Sequence, residues 1–386
     1  MIQHLSHTSH HLHADFSPPF EGIKGGYKEG VGLEAFMSRC FQLALNGLGR
    51  VAPNPMVGAV VVCDGKMIGE GYHCSFGNSH AEANAIQSVT QPELLSHSTL
   101  YVNLEPCAHH GKTPPCAKLI IEKKIPRVVI ANVDPNPKVA GRGIKMLQDA
   151  DIEVVLGVLA EEGEWLNRRF FTFQRKRRPY IFLKWAQSAD GFLDRLRADN
   201  NAVEPVQLSS DYTKLLVHKS RTEESAIMVG TNTAIKDNPK LTAHRWIGKN
   251  PVRVAVDRRL RIPPHYHLFD GSAPTLIYTE QIAENKPDVT YININFAEKI
   301  IEQIMDDLYR RNILSVIVEG GHLLFDSFIK AGMWDEARIE TAPVWLGEGI
   351  VAPRLTGEII ATELYGQNQI VTIRRMYASN RGQKCV

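Results

Sequence analysis

The chain has 386 residues, enough for two domains, and its 44 Lys and Arg against 42 Asp and Glu leave a formal charge of +2, which excludes a general pull toward nucleic acid or a membrane surface. At 44% hydrophobic and 22% charged it has the balance of a globular protein with a core in each half. The longest apolar runs are strand-length, no signal-peptide pattern opens the chain, and six irregularly spaced cysteines argue against a disulfide scaffold, so a reducing cytoplasm is expected.

Residues 1–32 hold five of the fifteen histidines without periodicity and are expected to be a disordered tail, although a His-rich tract can also bind metal. Helical spacing starts at Leu33 in LEAFMSRCFQLALNG and stops at Gly47. Two strand patterns, MVGAVVVC and MIGEGYH, flank Asp64-Gly65, a hairpin signal. There follow a helix from about His80, a strand TLYVNLEP, a helix from Cys116, a strand RVVIANV, a helix over 139–150 and a strand IEVVLG. One long helix, AEEGEWLNRRFFTFQRKRR, is expected to end at Pro179, its terminal Arg175-Lys176-Arg177-Arg178 solvated at a domain boundary. A second α/β series begins at YIFLKWAQSADG, with strands SAIMVG, PVRVAVD, TLIYT, SVIVEGG and QIVTIRRMYA and helices over 211–222, 296–311 and 323–331. Strands alternating with helices in both halves predict an α/β layered architecture, divided at 33–176 and 177–386.

Two fragments carry the chemistry of the first half. HAEANAIQ begins at His80, and EPCAHHGKTPPC holds Cys107 and Cys116. Ser79 with Glu82 also fits a capping box, but that leaves His80 and the cysteines unexplained. One imidazole and two thiolates give zinc three protein ligands and an open fourth position, as catalytic sites have. The pattern matches H-x-E with P-C…C of the zinc nucleobase deaminases, except that eight residues separate the cysteines. Zinc lowers the pKa of a bound water toward about 7, and Glu82 is placed to move its proton to a departing amine. His109 and His110 rank below the cysteines as ligands, and Cys40, Cys63, Cys74 and Cys385 read as packing or surface thiols. Lys112 and Thr113 are candidate phosphate contacts, Lys112 being equally a solvated loop cation, and Asn54 between two prolines is equally a turn residue.

The second half lacks both G-x-G-x-x-G and G-x-x-x-x-G-K-[ST]. Its VEGGHLLFDSF is strand, two glycines, then helix: a site for close approach of a phosphate, or simply a tight turn.

APNPMVGAVVV, HAEANAI, EPCAHHGKTPPC and DPNPKVAGRG, in this order, resemble the deaminase half of the bifunctional riboflavin-biosynthesis deaminase/reductases, whose ligand pair has this eight-residue spacing. LKWAQSADG, VGTNTAIKDNPKLTAHR and VEGGHLLFDSF resemble their reductase half, so the resemblance runs from about residue 33 to the C-terminus. It implies a cytidine-deaminase-like domain with zinc and a dihydrofolate-reductase-like domain with NADPH. The implied substrates are phosphoribosylated pyrimidines: a diamino-pyrimidinone is deaminated, and the ribosyl group of the aminouracil product is reduced to ribityl. Carried over by position, Asn54, His73, His109, Lys112 and Thr113 line the deaminase pocket. Ala186, Thr233, Asp237 and Gly321, His322, Leu323, Leu324 and Phe325 meet the cofactor, while Lys184, Arg221, Leu241, Arg245 and Glu319 meet the reductase substrate. Arg221 and Arg245 suit a phosphate because a guanidinium offers paired donors. One departure stands out: Gln207 falls where the family has a tryptophan, and Pro205 where it often has a serine. A deaminase with a degenerate reductase-like half is therefore an alternative, and a zinc-stabilised nucleic-acid-binding module using Arg168, Arg169 and the Arg175 run is a third. A symmetric homodimer or tetramer is expected.

Overall fold

The computed structural model describes residues 29–108, 114–136, 139–197 and 204–377. The His-rich tail through residue 28, and His109, His110, Lys112, Thr113 and Cys385, lie outside the described residues. The first half runs α1 (Glu29–Leu45), β1 (Gly58–Cys63), β2 (Lys66–Tyr72), α2 (Ala81–Gln87), β3 (Thr99–Leu104), α3 (Cys116–Glu122), β4 (Arg127–Asn132), α4 (Arg142–Gln148), β5 (Glu153–Leu156), α5 (Ala160–Leu166) and α6 (Arg168–Lys176). Its sheet has the order β2-β1-β3-β4-β5, with β1 antiparallel to both neighbours and β3, β4 and β5 parallel. Asp64 and Gly65 take the positive φ values, 49° and 72°, that a two-residue hairpin needs. Ala85, Ile86, Ile120 and Leu147 cover one face of the sheet, and Met37, Cys40 and Leu166 the other, giving three layers.

Two expectations need correction. Helix α1 starts at Glu29, four residues before Leu33. The long helix is two, broken at Asn167 (φ −97°, ψ 23°), whose side chain accepts from Met56 N and donates to Met56 O, each at 2.8 Å. That tertiary pairing overrides a continuous helical pattern.

The second half runs β6 (Tyr180–Ser188), β7 (Phe192–Asp194), α7 (Asp211–Glu223), β8 (Ala226–Gly230), α8 (Thr231–Asp237), β9 (Val252–Val256), β10 (Thr275–Thr279), β11 (Val289–Asn293), α9 (Ile300–Arg310), β12 (Ser315–Val318), α10 (His322–Lys330), β13 (Glu336–Ala342), β14 (Ile350–Val351), β15 (Glu358–Tyr365) and β16 (Asn368–Arg374). Nine strands form one sheet, β11-β10-β9-β8-β12-β6-β13-β16-β15, parallel from β11 through β13 and then antiparallel. The carboxyl ends of the adjacent strands β8, β12 and β6 open together, where α/β sheets bind ligands.

The halves meet at Phe170, Phe171 and Phe173, which pack with Leu104 and Leu314. Arg169 forms a two-bond ion pair with buried Glu224, and Arg168 Nε lies 3.2 Å from Glu336. Of the basic run, Arg175, Lys176 and Arg177 are exposed at the helix end as expected, and Arg178 is the exception. Arg178 is 9% exposed and forks onto Asp335 at 2.6 and 2.7 Å, while Lys176 lies 3.5 Å from the same carboxylate. Arg168, Arg169 and Arg178 are committed to carboxylates across this seam and are not free to track a phosphate backbone, which counts against the nucleic-acid-binding alternative.

Candidate active sites

The first constellation gathers at the carboxyl end of β3. His80 is the N-cap of α2 (φ −74°, ψ 162°), with no side-chain cap, so the capping box does not form. Cys107 follows the strand by three residues, and Cys116 opens α3. His80 Nδ1, Cys107 Sγ and Cys116 Sγ all lie within 4.8 Å of one another; Nδ1 is 3.5 Å from the first sulfur and 3.3 Å from the second. An imidazole with two sulfurs at this convergence fits zinc with one coordination position left open.

The sulfurs share charge. A hydrogen bond from the Cys116 thiol, against burial, holds Cys107 down at about 4, and the same bond together with burial pushes Cys116 up. The bond to Cys107 raises His80. Glu82, 3% exposed in the first turn of α2, is pushed up to about 7 by burial and by the Cys107 charge, and it accepts from Cys116. A carboxyl near neutrality can both take and return a proton. Beside it, His73 Nδ1 faces Ser79 O at 3.0 Å and Nε2 faces the Asn54 amide nitrogen at 3.1 Å. Carbonyl on one side and amide donor on the other make the ring neutral, with its proton on Nδ1. Burial agrees, lowering its pKa. The His73 ring stands edge-to-face on His80, 5.6 Å between centroids.

Sequence reasoning missed Glu105. Its carboxylate accepts from the backbone N–H of Asp134 (3.1 Å), Gly141 (3.0 Å), Gly143 (2.9 Å) and Ile144 (3.3 Å). It thereby clamps Asp134, Gly141, Gly143 and Ile144 against the chain that leads from β3 to Cys107. A Cβ on Gly143 would lie 1.9 Å from Pro106 O, so only glycine permits this approach. The signal was present in the glycines of that segment.

In the second half a cavity of about 730 Å³ opens over α8 and the start of α10. Ala186, Thr233, Asp237 and the stretch Gly321–Phe325 all line it. A Cβ on Gly321 would stand 2.8 Å from Thr233 Oγ1, and Gly320 takes φ +132°, so both glycines are needed for backbone this close to the cavity. A neighbouring pocket of about 380 Å³ shares Lys184, Ala186, Asp237 and Glu319 with the first and adds Gln207, His218 and Arg221. Two clefts that share a wall are the arrangement that hydride transfer between two bound molecules requires.

Arg221 donates from Nε (3.0 Å) and Nη2 (2.6 Å) to Glu319, and from Nη1 to Thr242 O (3.0 Å). Its fork is therefore committed to a carboxylate, not held open for a phosphate. Burial pushes Glu319 up, but this pair holds it below the usual carboxylate range; burial lowers Lys184, with Glu319 opposing. Leu241 lies in the core at 2% exposure, and Arg245 is exposed with Nη1 3.8 Å from Asp211; neither lines the two cavities. The atypical segment is built into the walls: Arg197 pairs with Asp237 at 2.6 Å and Asp194 at 2.8 Å, Pro205 lines the larger cavity, and Gln207 the smaller.

Residues 32–132 match the cytidine and deoxycytidylate deaminase zinc-binding region, and residues 179–376 the RibD C-terminal domain. The riboflavin biosynthesis protein RibD of Bacillus amyloliquefaciens is 40% identical over 83% of this chain and 87% of its own length. That of Aquifex aeolicus is 39% identical over 82% and 88%. The crystal structure of a diaminohydroxyphosphoribosylaminopyrimidine deaminase/5-amino-6-(5-phosphoribosylamino)uracil reductase from Thermotoga maritima covers 90% of this chain and 100% of that one, with 38% identity and a TM-score of 0.81. The chain belongs to the RibD family of bifunctional riboflavin biosynthesis enzymes, which join a zinc-dependent deaminase to an NADPH-dependent reductase.

Proposed function

We propose that this chain carries out both steps on phosphoribosylated pyrimidines. It deaminates 2,5-diamino-6-(5-phosphoribosylamino)pyrimidin-4(3H)-one, then reduces the ribosyl group of 5-amino-6-(5-phosphoribosylamino)uracil to ribityl. The observation that carries the reading is the convergence of His80, Cys107 and Cys116 beside buried Glu82. These three residues hold the zinc, which when bound acidifies a water toward neutrality. Glu82 takes a proton and returns it to the departing amine. Asn54 and His73 line the pyrimidine side: with its amide nitrogen engaged by His73, Asn54 offers its carbonyl oxygen to a ring N–H. His109, Lys112 and Thr113, outside the described residues, complete the pocket by resemblance.

NADPH, when bound, supplies the hydride. Ala186, Thr233, Asp237 and Gly321 to Phe325 hold it, supported by the shared cavity. Lys184, Arg221 and Glu319 face the ribosyl group, with Arg221 orienting the Glu319 carboxylate. The domains divide at 33–176 and 177–386. Free Cys40, Cys63 and Cys74 fit a reducing cytoplasm, and a symmetric dimer or tetramer is the assembly proposed.

One preparation tests this. Zinc content is measured alongside ammonia release and NADPH oxidation. Glu82→Gln is expected to retain zinc and lose at least about a hundredfold in ammonia release. Undiminished release with zinc bound would refute the role of Glu82, and no NADPH oxidation by the wild type would select the deaminase-only alternative.

A further inference from the structure

Where the chain departs from the family pattern, just after β7, it brings an arginine to the larger cavity. Asp194 ends β7 and is 8% exposed. Its Oδ1 accepts from Arg195 N at 2.9 Å and from Val206 N at 3.0 Å, which ties the two ends of the atypical segment together. Its Oδ2 lies 2.8 Å from Arg197 Nε, and the Arg197 carbonyl accepts from Lys236 Nζ at 3.4 Å. The same guanidinium donates from Nη2 to Asp237 Oδ1 at 2.6 Å. One arginine, its side chain only 11% exposed, thus bridges two carboxylates and joins β7 to the last residue of α8.

Asp237 stands where such a bridge has a consequence. It is exposed, and it belongs to the wall that the two cavities share with Lys184 and Glu319. Arg197 takes its Oδ1, whereas Oδ2 has no hydrogen-bond or ion-pair partner among the described residues. A carboxylate oxygen only accepts, so it needs a donor from a ligand. Hydride must cross the shared wall, so the cofactor brings its nicotinamide end there, with carboxamide N–H and ribose hydroxyls as donors. An exposed aspartate left to itself samples several rotamers, and a ligand has to order it. An ion pair that already fixes one oxygen removes that cost. The guanidinium also offsets a negative charge that would otherwise repel the phosphates of a dinucleotide.

We propose that Arg197 is a positioning residue of the reductase half: it holds Asp237 so that Oδ2 accepts a hydrogen bond from the nicotinamide riboside end of NADPH. This rests on reading the larger cavity as the cofactor cleft. The test compares full-length Arg197→Met, Asp237→Asn and the double variant with the wild type. Fluorescence titration gives NADPH affinity, NADPH oxidation with 5-amino-6-(5-phosphoribosylamino)uracil gives the KM of each reactant, and ammonia release is the control. Arg197→Met should weaken NADPH affinity and raise its KM roughly tenfold, with the KM of the aminouracil and ammonia release within about twofold. In the Asp237→Asn background the same substitution should cost less than about twofold, because the effects of residues in contact do not add. Unchanged NADPH affinity in Arg197→Met would overturn the proposal. So would an undiminished loss in the Asp237→Asn background, since Arg197 would then act without Asp237. A matching rise in both KM values would mark collapse of the shared wall and would overturn it as well. A wild type that binds no NADPH would refute the cofactor reading and the proposal with it; a wild type that binds NADPH no better than Arg197→Met refutes the proposal alone.

Discussion

Glu105 is the residue that holds the loop after β4 and the start of α4 against the end of β3, and its removal has a calculable cost. Glu105→Ala strips the acceptor from four backbone N–H groups. Those of Asp134 and Gly141 are partly solvated and regain water. Those of Gly143 and Ile144 are buried and do not. Hydrogen bonds to a charged acceptor contribute about 1.5–3 kcal/mol each, so the two buried ones alone put the cost at about 3–6 kcal/mol. At about 2–4 °C per kcal/mol for a domain of this size, the deaminase half should melt about 6–24 °C earlier by calorimetry. Zinc content and ammonia release should fall with it, because the segment buttresses the chain that leads from β3 to Cys107, while NADPH oxidation should be spared. Glu105→Gln, which keeps one oxygen but turns a donor toward the amides, should fall between. A melting shift under about 2 °C for Glu105→Ala would refute the clamp.

Gly321→Val should crowd Thr233 Oγ1, which a Cβ would approach to 2.8 Å, and weaken NADPH binding about tenfold in fluorescence titration without changing ammonia release. Asp335 predicts a pH dependence. Burial pushes its carboxyl up, yet Arg178 and Tyr377 hold it below the ordinary value. A depressed native pKa gives stability that is complete well above the unfolded value of about 3.9 and disappears as pH falls through the native value. Chemical denaturation should therefore show Asp335→Asn much less stable than wild type at pH 7, with the gap closing toward pH 3; a gap independent of pH would refute the assignment.

The metal site was legible because its evidence is local. His80 and Glu82 are two residues apart at a helix start, Cys107 lies just beyond β3, and Cys116 opens α3. Their chemistry survives whatever the distant chain does. The carried-over reductase positions were legible unevenly. Those on strand ends and on the Gly-Gly turn reach the cavities, whereas Leu241 went into the core and Arg245 to the surface. A position in a motif does not state which way its side chain points. Arg197 and Glu105 carry no motif, and their roles come from what packs around them.

By itself, the sequence determined the alternation of strands and helices, the Asp64-Gly65 hairpin and the His/Cys/Cys ligand set, since these follow from periodicity, turn chemistry and donor type over short spans. Only the tertiary structure decided the break at Asn167, set by Met56 more than a hundred residues away, and the burial of Arg178 against Asp335. It alone also decided strands such as β13, whose polar EARIETA is buried between β6 and β16. In each case the controlling energy is a hydrogen bond or ion pair to a residue far along the chain, which no local pattern encodes.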